Sequence, residues 1–479
     1  MRLSALAIIL SVCCVSASAE EPPALSPASM KVLADIDARS GMIADLSSKI
    51  WGWAEVGYKE EQSSKLLADT LEAEGFALKR GVAGIPTAFT AEWGSGGPVI
   101  GVLAEFDALP GINQDASATR APIDGKAAGH ACGHNLFGAG SVGAAIAIKN
   151  WLAETKTPGT IRLYGTPAEE GGSGKVYMVR EGLFKDVDVV LHWHADDKNA
   201  ADGETSLSNR SAKFRFKGVS AHAAGAPDRG RSALDGVEAF DMMVNMMREH
   251  IPQDARIHYV ITKGGAAPNV VPDAAEVFYY VRHPKPQGVE EIWARLEDAA
   301  RGAALGTGTS VDWEIIHGSY PLLVNETLAK MMHDKLTQVG GVAYTKEETA
   351  FAKDIHATLG ATTRKLGDEA NVEPYSTSLS YGSTDVGDVS WAAPTVGLNT
   401  ATWVPGTPAH SWQAVAASGM SIGHKGATNA AKTLTLAAIE LYQNADLRAE
   451  ARAEFEEKRK GVKYRPLLGD RKPALDYRD

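Results

Sequence analysis

Apolar residues recur along this chain in two rhythms, and the change between them divides it. From about Leu33 to Asn199, helical periodicity alternates with continuous apolar runs. Ser63 to Glu74 places Leu66, Leu67 and Leu71 on one helical face, and Ser141 to Glu154 reads as an Ala-rich helix. The runs Pro98–Ala104, Thr160–Gly165 and Val187–Leu191 read as strands, the first a buried one. Strands alternating with helices predict a parallel or mostly parallel sheet covered on both faces.

From about Ser211 to Ile316 the rhythm changes. Lys213-Phe-Arg-Phe-Lys217 alternates strictly, and a Met-rich helix follows over Arg231 to His250. Strands are expected near Ile257 to Thr262 and Glu276 to Arg282, then a helix over Val289 to Ala304 and a strand over Ser310 to Ile316. The order β-α-β-β-α-β is that of a ferredoxin-like split unit, a complete small domain. The first rhythm resumes after Pro321, so the small domain interrupts the large one. The expected divisions are 1–19, 20–208, 209–320, 321–448 and a charged C-terminal tail over 449–479. Met242, Met243, Met246 and Met247 are expected as core or subunit-contact positions.

Composition narrows the class. Hydrophobic residues make up 44% and charged residues 22%, which is ordinary for globular proteins and excludes whole-chain disorder. A net charge of -11 argues against a nucleic-acid coat. At the N-terminus, Arg2, the apolar run Leu3–Val15 and Ala17-Ser18-Ala19 form the tripartite pattern of a secretory signal peptide, with cleavage after Ala19. This predicts a periplasmic or secreted protein with no membrane attachment after cleavage. A lipid-modified Cys13 is the alternative, against which Val12 is bulkier than the small residue such a site wants. Cleavage removes Cys13 and Cys14 and leaves Cys132 without a disulfide partner.

Four clusters stand at expected strand ends or helix starts, where open α/β sheets build their sites. They are Glu105 with Asp107, Gly129-His-Ala-Cys-Gly-His-Asn135, Glu169 with Glu170, and His192 with His194. Cysteine, histidine and paired carboxylates gathered from separate strands suit a zinc or manganese site. Singly each is weak: Glu169-Glu170 alone is an ordinary acidic pair, and residue type leaves His192 and His194 equivalent. Cys132 at a helix N-terminus is expected to have a depressed thiol pKa, suiting a metal thiolate or a nucleophile. Gly171-Gly-Ser-Gly-Lys175 lacks the upstream glycine of a phosphate loop and reads as a flexible turn carrying the glutamates. A thiol hydrolase using Cys132 and His134 would leave Glu169, Glu170 and His194 without a task.

These residues carry a resemblance. Cys132-Gly-His134, Pro167-Ala-Glu-Glu170 and His222 in Gly218-Val-Ser-Ala-His resemble the M20 metallopeptidase family in its amidohydrolase branch, subfamily D. The match extends through Met178-Val-Arg-Glu-Gly182, Ser383–Trp391 and Gly406–Trp412, and is fullest within the aminobenzoyl-glutamate subgroup. The resemblance implies a zinc-peptidase-like catalytic domain with a ferredoxin-like lid that also dimerises. It implies two divalent metal ions, zinc or manganese, held by Cys132, His134, Glu170, His194 and His410. Glu169 would be the general base, His222 would reach the partner subunit's site to stabilise the oxyanion, and Asn269 and Arg282 would bind the substrate carboxylate. Glu105 stands where many members have histidine, so Cys132 would fill that gap and Asp107 would orient a ligand histidine from behind.

The resulting expectation is a metal-dependent amidohydrolase acting on an N-acyl or N-aroyl amino acid, with p-aminobenzoyl-glutamate the best single substrate. A broader periplasmic N-acyl-amino-acid hydrolase or dipeptidase is the alternative within the class. A non-catalytic, ligand-binding subunit of a two-chain enzyme is the alternative outside it. The expected partners are a second copy through the lid and possibly a related second subunit.

Overall fold

The structure is a computed structural model that describes residues 24–201 and 203–478. The expected signal peptide lies outside the described residues. In chain order the principal strands are Ala77–Arg80 (β1), Phe89–Ser95 (β2), Val99–Ala104 (β3), Gly159–Gly165 (β4), Val189–Asp196 (β5), Ser208–Lys217 (β6), Arg256–Lys263 (β7), Ala274–His283 (β8), Ser310–Ser319 (β9) and Thr395–Ala401 (β10). They form two sheets, ordered β1-β2-β4-β3-β5-β10 and β7-β8-β6-β9.

In the first sheet, β4, β3, β5 and β10 run parallel, and β1 and β2 add an antiparallel edge. Its inner strands are buried almost throughout, as their continuous apolar sequence requires. The helix His134–Thr155 (α1) packs between this sheet and Ser421–Gln443, and alanine and glycine let the backbones approach closely. It is the one helix among the described residues long and apolar enough to cross a membrane, and it is a core helix, buried along most of its length.

The second sheet is antiparallel, with Ala233–Met247 (α2) and Pro286–Thr307 (α3) packed on it, in the order β-α-β-β-α-β. It has its own core around Phe214, Phe240, Tyr279 and Trp293. The strands entering and leaving it, β6 and β9, are paired neighbours, so the lid joins the body through a two-stranded ribbon. β7 is an edge strand, and Tyr259, Val260 and Ile261 on it are exposed. Of the four methionines on α2, Met247 is buried while Met242, Met243 and Met246 face outward.

Two elements near the site are longer than the hydrophobic pattern suggested. β5 runs to Asp196 rather than stopping at Leu191, because Trp193 is buried and the ladder with β10 continues through His194 and Asn399. The histidines thus sit within the strand, two residues apart on one face. α1 begins at His134 rather than near Ser141, because Gly133 adopts a left-handed conformation that starts the helix (φ 72°). A side chain at Gly133 would meet Ala195 Cβ at 2.4 Å.

The C-terminal segment departs furthest from the expected charged tail. After the helix Ala445–Lys458 the chain crosses back over both sheets' domains. Leu467 enters the lid core, and Leu468 joins Tyr58, Ala168 and Tyr177 on the body. Arg471 donates to Ile316 O at 3.2 Å and to Glu314 at 3.0 Å, and Tyr464 donates to Asp388 at 2.7 Å.

Candidate active site

The carboxyl ends of β3, β4 and β5 and the start of α1 converge on one cavity of about 870 Å³ between the body and the lid. Cys132 stands just ahead of α1, and its Sγ lies 3.5 Å from His194 Nε2. The loop after β4 presents Glu169 and Glu170 between Ala168 (φ 59°) and Ser173 (φ 60°), both non-glycine residues in the left-handed region. His410, on the loop after β10, is a third (φ 61°). Strain gathered on residues at and beside a site is the pattern expected where function fixes the backbone.

Two groups of donor atoms lie close enough to hold an ion: Cys132, His134 and His194, and Cys132, Glu170 and His410. They share the sulfur. Within each, the donor atoms lie within 4.8 Å of one another. A third group, Glu105, His134 and Glu169, meets the same test. Glu105, however, is committed to a buried lysine: Lys175 Nζ lies 2.7 Å from Glu105 and 2.7 Å from Asp385, all three without solvent contact. That pairing already engages Glu105 and leaves the two cysteine-sharing groups as the better cation sites.

Buried atoms aimed into the site support ion binding. His134 Nε2 and Glu170 Oε1 are buried and make no hydrogen bond, although each has an ion-pair neighbour, Glu105 at 3.1 Å and His410 at 3.4 Å respectively. Behind His134, Asp107 Oδ1 lies 2.9 Å from Nδ1, which directs Nε2 at the site. Asp107 Oδ2 accepts from the Glu170 backbone N–H at 2.9 Å, so one carboxylate positions two donors. Thiolate, imidazole and carboxylate together suit zinc or manganese, and two shared three-donor sites leave coordination positions open.

The electrostatics divide the acids. Burial, then the charges of Glu105 and Glu170, hold the Glu169 carboxyl well above the usual carboxylate range. Burial also acts on Glu170, but the neighbouring His410 and His134 imidazoles outweigh it and hold that group low. Burial pushes His194 down, with His134 adding to the effect. The Cys132 thiol is the correction here. Instead of being depressed, it is pushed well above its ordinary value by burial and by the Glu170 carboxylate. A buried thiol without a cation stays protonated and is a poor nucleophile.

Each expected residue has a definite place. Cys132, His134, Glu169, Glu170, His194 and His410 come together, with Asp107 behind them. His192 lines the same cavity but packs against Gly397, where a Cβ would come within 2.3 Å of the imidazole, and it joins neither donor group. Arg282, on β8, reaches the cavity. Asn269 does not line it. It lies beside His222 on an exposed lid loop, where Ala223 N–H donates to Asn269 O at 3.0 Å and His222 bridges to Val270. His222 Nδ1 accepts from the Gly225 N–H at 3.0 Å, a turn-capping bond that leaves Nε2 free. Gly171–Lys175 is not a loose turn: it ends in the helix Gly174–Arg180 and buries Lys175.

Several groups at the site carry no local sequence signal. Glu60 accepts from Ala168 N–H at 2.8 Å and from Thr87 at 3.0 Å, bracing the glutamate loop. Burial raises its carboxyl to about 8. Lys175 and Asp385 meet across 210 residues of sequence. Arg478, at the far end of the C-terminal segment, lines the cavity.

Residues 101–367 match the sequence profile of peptidase family M20/M25/M40. The chain is 40% identical to one of the two subunits of the p-aminobenzoyl-glutamate hydrolase of Escherichia coli (strain K12), over 88% of this chain and 93% of that protein. It is 30% identical to Xaa-Arg dipeptidase of Mus musculus, over 88% of this chain and 90% of that one. Among solved structures, a dinuclear metal-binding peptidase of the M20 family from Bacillus subtilis superposes with a TM-score of 0.57 at 18% identity, covering 85% of this chain and 99% of the other.

Proposed function

The chain belongs to peptidase family M20/M25/M40, and from that premise we propose that it hydrolyses the amide bond of an N-aroyl or N-acyl amino acid, with p-aminobenzoyl-glutamate as substrate. It is a metal-dependent hydrolase that uses two divalent ions. The observation that carries the reading is the single sulfur of Cys132, shared by two donor groups with Glu169 beside them. Cys132, His134 and His194 would hold one ion, and Cys132, Glu170 and His410 the other. When bound, such ions supply Lewis acidity that acidifies a water and polarises the amide carbonyl.

The chain's own residues do the rest. Glu169 takes a proton as the water oxygen adds to the amide carbon. It returns that proton to the leaving nitrogen as the C–N bond breaks, giving a carboxylic acid and a free amino acid. Burial beside Glu105 and Glu170 raises its affinity for a proton, which suits a group that carries one from the water to the leaving nitrogen. Asp107 keeps His134 in one tautomer. Arg282 offers a planar fork to the substrate carboxylate.

The exposed edge of β7 and the outward methionines of α2 support a dimer through the lid, in which His222 would stabilise the oxyanion in the partner's cavity. The Escherichia coli relative is one component of a two-subunit hydrolase, which makes a second, different subunit the alternative partner. A dipeptidase is the alternative activity, favoured by the mouse relative. Export to the periplasm rests on the N-terminal apolar run and Ala17-Ser18-Ala19.

The test is a hydrolysis panel on protein stripped with a chelator and reloaded with zinc or manganese. Release of glutamate from p-aminobenzoyl-glutamate only after reloading is the expected result. Turnover that survives stripping would shift the reading to a thiol hydrolase. Loaded protein that cleaves no N-acyl or N-aroyl amino acid would overturn it.

A further inference from the structure

The cavity receives two guanidinium groups from opposite sides, and the second comes from a part of the chain with no expected role. Arg282 stands on β8 of the lid, and its Nη1 donates to Ser383 Oγ at 3.2 Å. Arg478 arrives on the C-terminal segment. Its Nη2 donates to the Glu170 carbonyl, and its guanidinium stacks 4.7 Å from the centre of the Tyr477 ring. Tyr477 packs edge-on against Tyr58 at 5.6 Å and donates to the same carbonyl at 3.4 Å, so the segment is anchored at its tip.

The two arginines share an incompleteness. In each, Nε is buried and makes no hydrogen bond. Neither has a carboxylate at ion-pair distance among the described residues, whereas Arg162, Arg215, Arg364 and Arg471 do. Both guanidiniums act on the Tyr280 phenol, opposing the burial that raises its pKa, so both lie near one side chain of the cavity. Two withdrawn cations in one cavity, neither of them ion-paired at contact distance among the described residues, carry a desolvation cost that an anionic ligand lowers.

We infer that Arg478 is a specificity-determining residue: while Arg282 holds the α-carboxylate of the substrate's amino-acid half, Arg478 receives the carboxylate of an acidic side chain. The site then selects N-aroyl glutamate or aspartate over neutral and basic counterparts. This rests on the amide-hydrolase reading above.

The experiment compares p-aminobenzoyl-glutamate with p-aminobenzoyl-glutamine, equal in shape and different in charge, on the full chain loaded with zinc or manganese. The wild type should prefer the glutamate compound by about 10- to 100-fold in kcat/KM, the range of one charged hydrogen-bonded contact. Arg478→Ala should erase that preference through KM and leave the glutamine compound within about threefold. Arg478→Lys should keep part of it. Equal losses on both compounds would reduce Arg478 to an anchor of the segment, and no loss on the glutamate compound would remove it from recognition; either overturns the inference. If the loaded wild type cleaves neither compound, the amide-hydrolase reading fails separately, and calorimetric titration with free glutamate and glutamine still decides. Tighter glutamate binding that disappears in Arg478→Ala supports the inference, and equal or absent binding in the wild type overturns it.

Discussion

The two walls of the cavity are built on different plans. On the body wall the donors gather at the carboxyl end of one buried sheet, and two of them and their loop are held from behind: His134 by Asp107, Glu170 by Asp107 through its backbone, and the glutamate loop by Glu60. On the lid wall the groups come from a strand and an exposed loop, and they are only half satisfied. Arg282 keeps a bare Nε, and His222 does not line its own chain's cavity. The body wall is prepared before substrate arrives, as chemistry requires. On the proposed reading, substrate and a neighbouring subunit would complete the lid wall.

That contrast can be broken at its strongest point first. Glu169→Gln removes the proton carrier while sparing every donor atom. Its kcat should fall about 10²- to 10⁴-fold with metal content unchanged, measured by elemental analysis alongside turnover. Retained activity would show that the body wall does not supply the base.

On the lid wall, His222→Ala should cost about 10²- to 10³-fold. Mixing that variant with Glu169→Gln subunits should restore part of the activity, because one cavity in each mixed dimer then has both groups. Val260→Asp, on the exposed edge of β7, should yield monomers by sedimentation with the same loss as His222→Ala. Fully active monomers would place the oxyanion contact within one chain.

The smallest effect concerns stability of the body. Burial holds His130 at about 3, below the value near 6.5 it has in an unfolded chain. The folded state therefore resists a proton that the unfolded state accepts. The stabilisation is complete above pH 6.5 and is lost as pH falls from there toward 3. At pH 5 the loss from this one imidazole is about 2 kcal/mol. His130→Gln should change the difference between the urea midpoints at pH 7 and pH 5 by about that amount.

What the sequence made legible follows from range. Donors at strand ends were visible because parallel sheets place ligands beyond their carboxyl ends, and Cys132, His134, Glu169 and Glu170 all obey that rule. The choice between His192 and His194 was not visible from the strand pattern, because it turns on β10 packing against β5 and on the room Gly397 leaves. The thiol of Cys132 misled for a related reason: a helix start argues for a low pKa, but burial beside Glu170 overrides it. Lys175, Asp385 and Arg478 were silent because their partners lie far away in sequence, 308 residues in the case of Arg478 and Glu170. No local periodicity encodes a contact at that separation.

The shared sulfur has a consequence for assembly. On the proposed ligation, Cys132, whose thiol burial keeps protonated, would give up its proton as the first ion binds and would already be ionised for the second. Loading is thereby coupled: the first equivalent releases a proton and opens the way for its neighbour, against the mutual repulsion of two cations. The same coupling works in reverse. One oxidation event at that sulfur would remove a donor from both sites at once, so damage would reach both ions together.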